Sequence, residues 1–119
     1  MSTEENKQVL SIHEVELYQD ADEHEFQRVV FDEVAPFYRS MGWEVRLLKG
    51  DRGARDGKYL LIFEIATPAE RDRWVPTPGN LSEEGEQIFA TWGPVWEKIN
   101  KLATILFDPE FTDYVMVKK

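Results

Sequence analysis

Lys58–Thr67, KYLLIFEIAT, is the most apolar run in the chain. It is too short to span a bilayer and has the length of a buried strand. Alternation puts Tyr59, Leu61, Phe63 and Ile65 on one face, and Leu60, Ile62, Glu64 and Ala66 on the other. Only Glu64 interrupts the apolar character, so both faces need cover. Gln8–Leu17 has the same two-faced pattern, with Val9, Ser11, His13, Val15 and Leu17 opposed to Leu10, Ile12, Glu14 and Glu16. These two stretches predict central strands, and a single layer of helices covers one side of a sheet only.

The other periodic segments supply the flanking elements. Asp22 with Glu25 forms a capping-box pattern, and Phe26, Val29, Val30, Val34, Phe37 and Met41 follow at helical spacing. Pro36 is expected to kink this helix, and Gly42 to lie just past its end. Trp43–Leu48 reads as a strand joined through the loop Gly50–Gly57 to Lys58–Thr67, giving a hairpin. Thr67, Pro68 and Glu70 start a short helix that Pro76-Thr77-Pro78-Gly79 must stop near Trp74 or Val75. Ser82 opens a last helix with the stripe Ile88, Phe89, Trp92, Val95, Trp96, Ile99, Leu102 and Leu106, bent at Gly93-Pro94 and closed by Asp108-Pro109. Tyr114–Lys118 reads as the final strand. Residues 1–7 read as a flexible tail, and the rest of 1–119 as one domain.

The order strand, helix, strand, strand, helical segment, strand predicts an α+β fold of ferredoxin-like βαββαβ type. Two right-handed crossovers joined by a hairpin give a four-stranded antiparallel sheet in the order 4-1-3-2, with helices on one face. The two central strands are then the two with apolar residues on both faces. In Gln8–Leu17, Lys58–Thr67, the Phe26–Met41 helix and the aromatic Ile88–Leu106 helix, the chain resembles the dimeric α/β-barrel superfamily. That group contains small cofactor-independent monooxygenases, muconolactone isomerase-like enzymes, stress-response barrel proteins and haem-binding relatives. The resemblance implies a homodimer through the second sheet face and a small-molecule cavity between sheet and helices. The PTPGN insert departs from the simplest members, so no one subfamily is implied.

Composition narrows the functions. There is no cysteine, hence no disulfide framework, zinc–thiolate site or thiol nucleophile. The formal net charge of −9 opposes binding to nucleic acid backbones. No segment reads as a membrane span or a signal-peptide core, which predicts a cytoplasmic protein. Aromatic residues make up 13 % of the chain, enough either to fill a core and an interface or to line a ligand box.

Three polar residues stand out as candidate catalytic groups. His13, on a central strand, can serve as a base, as an axial haem ligand, or as a hydrogen-bonded structural histidine. Glu64 must pair or raise its pKa if buried, and Arg46 on the neighbouring strand is its candidate partner. Trp74, Phe89, Trp92 and Trp96 are the candidate ligand-binding side chains of an apolar pocket with Val75–Asn80 near its mouth. Either His13 or Glu64 is expected inside it. His24 reads as solvent-exposed. The loop bounded by Lys49 and Lys58 is a small basic island that reads as a solvated hairpin tip. Glu83, Glu84 and Glu86 suit a helix N-terminus rather than a metal site, and no metal or resident cofactor is expected. The resemblance implies a small dimeric α/β-barrel protein of unknown substrate; one form of it is a cofactor-independent oxygenase or isomerase acting on an apolar or aromatic molecule, and whether it is an enzyme is left open by the sequence. The alternatives are a small-molecule or haem-binding module and a structural dimer.

Overall fold

The computed structural model describes residues 7–105 and 111–117. The expected tail therefore lies almost wholly outside the described residues, as do Leu106 and the Asp108-Pro109 stop.

The chain begins with β1 (Val9–Leu17). Then come α1 (Glu23–Val29), a π-helical turn (Val30–Val34) and α2 (Ala35–Arg39). The hairpin β2 (Glu44–Lys49) and β3 (Tyr59–Ile65) follows. Three short helices succeed it: α3 (Pro68–Trp74), α4 (Glu83–Phe89) and α5 (Gly93–Asn100). β4 (Ala103–Ile105) and β5 (Thr112–Val115) complete the sheet.

The caps follow from the sequence. Asp22 accepts from the backbone N–H groups of His24 and Glu25, Thr67 from Glu70, and Ser82 from Gly85. Gly42 takes the left-handed conformation past α2, with φ of +87°. Pro36 is accommodated by more than a kink. The Ala35 N–H reaches back to the Val30 carbonyl, five residues earlier, and Pro36 then lies in the first turn of α2, where its missing donor costs little.

The sheet is antiparallel, in the order β2-β3-β1-β4, with β5 also paired to β1. β1 and β3 are thus central, as their two-faced pattern predicts. The last edge differs from expectation. β4 pairs with Val15–Leu17 and β5 with Val9–Ile12, so two short strands take the place of one. The helix expected to run to Leu106 ends at Asn100, because Ala103 and Ile105 are buried beside β1 while Thr104 faces out. That period-two burial, with β-branched residues at 104 and 105, overrides the helical stripe. The same stripe is divided between α4 and α5, with Pro94 in the first turn of the latter.

The helices cover one face of the sheet. Val9, Ser11, His13 and Val15 of β1 and Tyr59, Leu61, Phe63 and Ile65 of β3 are buried there. Phe26, Val29, Val30 and Val34 pack onto them from the first helical stretch, and Ile99 from α5. The opposite face stays partly open: Leu10, Ile12 and Leu60 are half-buried, while Leu48 and Tyr114 are 50 % and 53 % exposed.

Candidate functional site

A cavity of about 670 Å³ opens between the sheet and the helices, within the size range of small-molecule sites. Ser11 and His13 of β1 and Phe63 and Ile65 of β3 form its floor. Tyr38 of α2 and Trp43 make one wall. The loop after α3 and the start of β5 make the others.

Local sequence explains the loop wall. Pro76 and Pro78 prevent helix, and Asn80 closes a turn by donating from its backbone N–H to the Thr77 carbonyl at 3.0 Å and from Nδ2 to Thr77 Oγ1 at 2.9 Å. The neck is pinned where the Ser82 N–H donates to the Trp74 carbonyl at 2.9 Å and its hydroxyl to the Arg73 carbonyl at 2.6 Å. Gly85 lets α4 approach that neck: a Cβ there would lie 2.3 Å from the Trp74 carbonyl oxygen.

His13 sits in the floor, 4 % exposed, in the gap between the β4 and β5 pairings of β1. Its ring stacks on Phe111 at 5.2 Å and meets Phe63 edge-on at 5.1 Å. Its Nε2 lies 2.9 Å from Ser11 Oγ, two residues along the same face. A serine hydroxyl can donate to Nε2 of a neutral imidazole or accept from its N–H, so the pair can hold or move one proton.

Other polar groups border the same space. Arg71 of α3 bridges Asp72 at 3.0 Å and Asp113 of β5 at 3.3 Å, tying the two sides of the mouth together. Asp113 Oδ1 is buried without a hydrogen-bond partner among the described residues. Tyr38 is buried in the wall, and that burial pushes its pKa well above the ordinary phenol range. Trp43 Nε1 is likewise buried and unpartnered among the described residues.

Of the residues singled out from sequence, the structure places His13 and Phe89 on this cavity. Glu64 and Arg46 lie elsewhere. They pair at 3.3 Å on the open sheet face, where Arg46 is largely solvated, so they do not meet His13. Trp74 is buried under the Arg73 guanidinium, 4.6 Å from its ring, and does not line the cavity. Trp92 and Trp96 form an outer aromatic layer, with Trp92 4.5 Å from Phe37. Sequence reasoning missed Ser11, Tyr38, Trp43, Arg71, Phe111 and Asp113. Strand parity with His13 marks Ser11. Nothing in the sequence marks the Arg71–Asp113 pair, whose members are 42 residues apart.

Among the described residues no group of three or more His, Asp or Glu side chains is placed to hold a metal ion, and no helix is long and apolar enough to cross a membrane. No family model and no curated protein matches the chain. Among solved structures the chain is similar to SnoaB, a cofactor-independent oxygenase from Streptomyces nogalater. The two share 17 % identity and a TM-score of 0.57, over 95 % of this chain and 96 % of that one. The likeness runs through nearly the full length of both chains and shows a shared α+β fold of ferredoxin-like kind, built here on a five-stranded antiparallel sheet.

Proposed function

We propose that the protein is a cofactor-independent oxygenase whose substrate is an apolar, aromatic small molecule bound in the cavity over His13. The observation that carries the reading is a buried imidazole–hydroxyl pair, His13 and Ser11, in the floor of an aromatic cavity. The fold shared with an oxygenase supports it.

Oxygenation without a cofactor requires that the substrate supply the electrons for dioxygen. It must therefore form a stabilised carbanion. In this reading His13 accepts the proton from an activated methylene, with Ser11 holding the ring in place. The carbanion gives one electron to dioxygen, the resulting radical pair combines as a peroxide, and loss of water leaves a carbonyl. The net change is one methylene and one dioxygen to one carbonyl and one water. The aromatic walls exclude water, which lowers the dielectric around the proton transfer.

The reading includes a homodimer formed through the open sheet face. Directly paired residues share that face, so Leu10 with Tyr114, Ile12 with Ile62 and Leu48 with Leu60 make an apolar surface. Burying such side chains is worth roughly 1.5–3 kcal/mol each.

The test is oxygen uptake by metal-free, dialysed protein over a panel of polycyclic aromatics with acidic methylene groups. Uptake above the spontaneous rate is expected for wild type, reduced about 10²–10⁴-fold in His13→Gln. Tight binding with no uptake by any panel member would favour a ligand-binding module instead.

A further inference from the structure

Arg71, Asp72 and Asp113 bring charge to the lining of an otherwise apolar cavity. Arg71 and Asp72 come from α3 and Asp113 from β5. Asp113 pairs directly with Ser11, so it stands on the cavity face of the sheet. The Arg71 guanidinium is shared between the two carboxylates. Its Nε donates to Asp72 Oδ1 at 3.0 Å and its Nη1 to Asp113 Oδ2 at 3.3 Å.

A lone arginine in such a place suits a carboxylate on the ligand. Here two carboxylates face one guanidinium, which leaves an excess of one negative charge. His13 apart, the other described lining residues carry no ionisable charge that could offset it near neutral pH: they are apolar, hydroxyl-bearing or aromatic. The net charge of −9 on the whole chain acts in the same direction. The Asp72 side chain is 45 % exposed against 23 % for Asp113, so Asp72 is the carboxylate open to the outer end of a bound molecule.

We propose that the mouth selects its ligand by charge. Asp72, backed by Asp113, favours an aromatic molecule bearing a protonated amine at its outer end over an aromatic acid. The inference rests on the functional reading above and narrows its substrate class. The rings lie over His13, and the amine stays at the mouth, where it keeps part of its hydration. Asp72 takes no part in proton or electron transfer; it sets specificity. Because it is half-exposed, the preference it gives is moderate and falls with salt.

Naphthylmethylammonium, naphthoate and naphthylmethanol of one ring isomer serve as probes, being close in shape and differing in charge at neutral pH. Affinities are read by titration calorimetry. Desolvation penalises both ions, so the ratio between them isolates the sign of the field. Wild type at low salt is expected to bind the ammonium about tenfold more tightly than the carboxylate. The ratio should narrow at high salt and shrink about threefold or more in Asp72→Asn, with naphthoate gaining as Arg71 is released. Glu16→Gln removes the same charge from an exposed site on the opposite sheet face and should leave the ratio nearly unchanged. Binding of naphthylmethanol with equal affinity for the two ions, a preference for naphthoate, or a ratio that survives Asp72→Asn overturns the proposal while the cavity reading stands. Binding of none of the three overturns both. Should Asp72→Asn fail to fold, the wild-type ratio and its salt dependence, set against Glu16→Gln, still decide.

Discussion

Tyr38 has a signature at high pH that does not depend on any ligand. Its side chain is buried in the cavity wall, and that burial raises its pKa well above the ordinary value of about 10. Above that pH the unfolded chain has lost the proton and the folded chain keeps it. The folded state then binds more protons, so its stability falls as pH rises through the window above pH ~10. Below that value the contribution is constant. Replacing Tyr38 with Phe should remove this component, flattening urea-derived stability against pH by roughly 1.4 kcal/mol per pH unit in that window. Tyr59, whose pKa is also raised by burial and by the Glu23 carboxylate, remains in both proteins and cancels. Equal alkaline slopes would mean that the Tyr38 hydroxyl is already solvated or paired. His13 was legible from sequence because it interrupts a two-faced strand. Tyr38 was not, because the helical stripe pointed to Phe37. The π turn at Val30–Val34 inserts a residue into the phase, so Tyr38 enters the core and Phe37 stays partly exposed.

At the scale of elements, the cavity exists because the helical layer is broken between α3 and α4 and its loop is held rather than loose. Gly85 is the contact point. Alanine there would place Cβ 2.3 Å from the Trp74 carbonyl oxygen, a backbone atom that cannot swing aside. Gly85→Ala is therefore expected to destabilise by about 1–3 kcal/mol in a denaturant melt, despite the better helix propensity of alanine. A gain of roughly 1 kcal/mol, the usual result at an exposed helical glycine, would show that α4 is free to move from α3. Proline and glycine punctuation made this break legible, together with the caps at Thr67 and Ser82. The division of the last edge into β4 and β5 was not, because Ala103–Ile105 continues an apolar helical spacing and only pairing with Val15–Leu17 turns it into a strand. Glu64 with Arg46 shows the same limit. Their pairing could be anticipated from adjacent strands, but which sheet face they occupy depends on where the helices pack.

For the whole molecule, the sheet separates two surfaces with different consequences. One carries the cavity and the core. The other carries the Leu10, Ile12, Leu48, Leu60 and Tyr114 surface on a protein whose net charge of −9 otherwise favours separation of copies. Sedimentation at micromolar concentration is expected to show a dimer for wild type and a monomer for Ile12→Lys, and a wild-type monomer would leave that face to some other cover. In the proposed function, His13 starts oxygenation of an aromatic molecule in the cavity. Its most direct test is isotope incorporation: metal-free protein incubated under ¹⁸O₂ with the activated-methylene panel, products read by mass spectrometry. One ¹⁸O atom in the carbonyl product with wild type, and only the spontaneous background with His13→Gln, is the predicted result. Equal incorporation by wild type, His13→Gln and the protein-free control would contradict it.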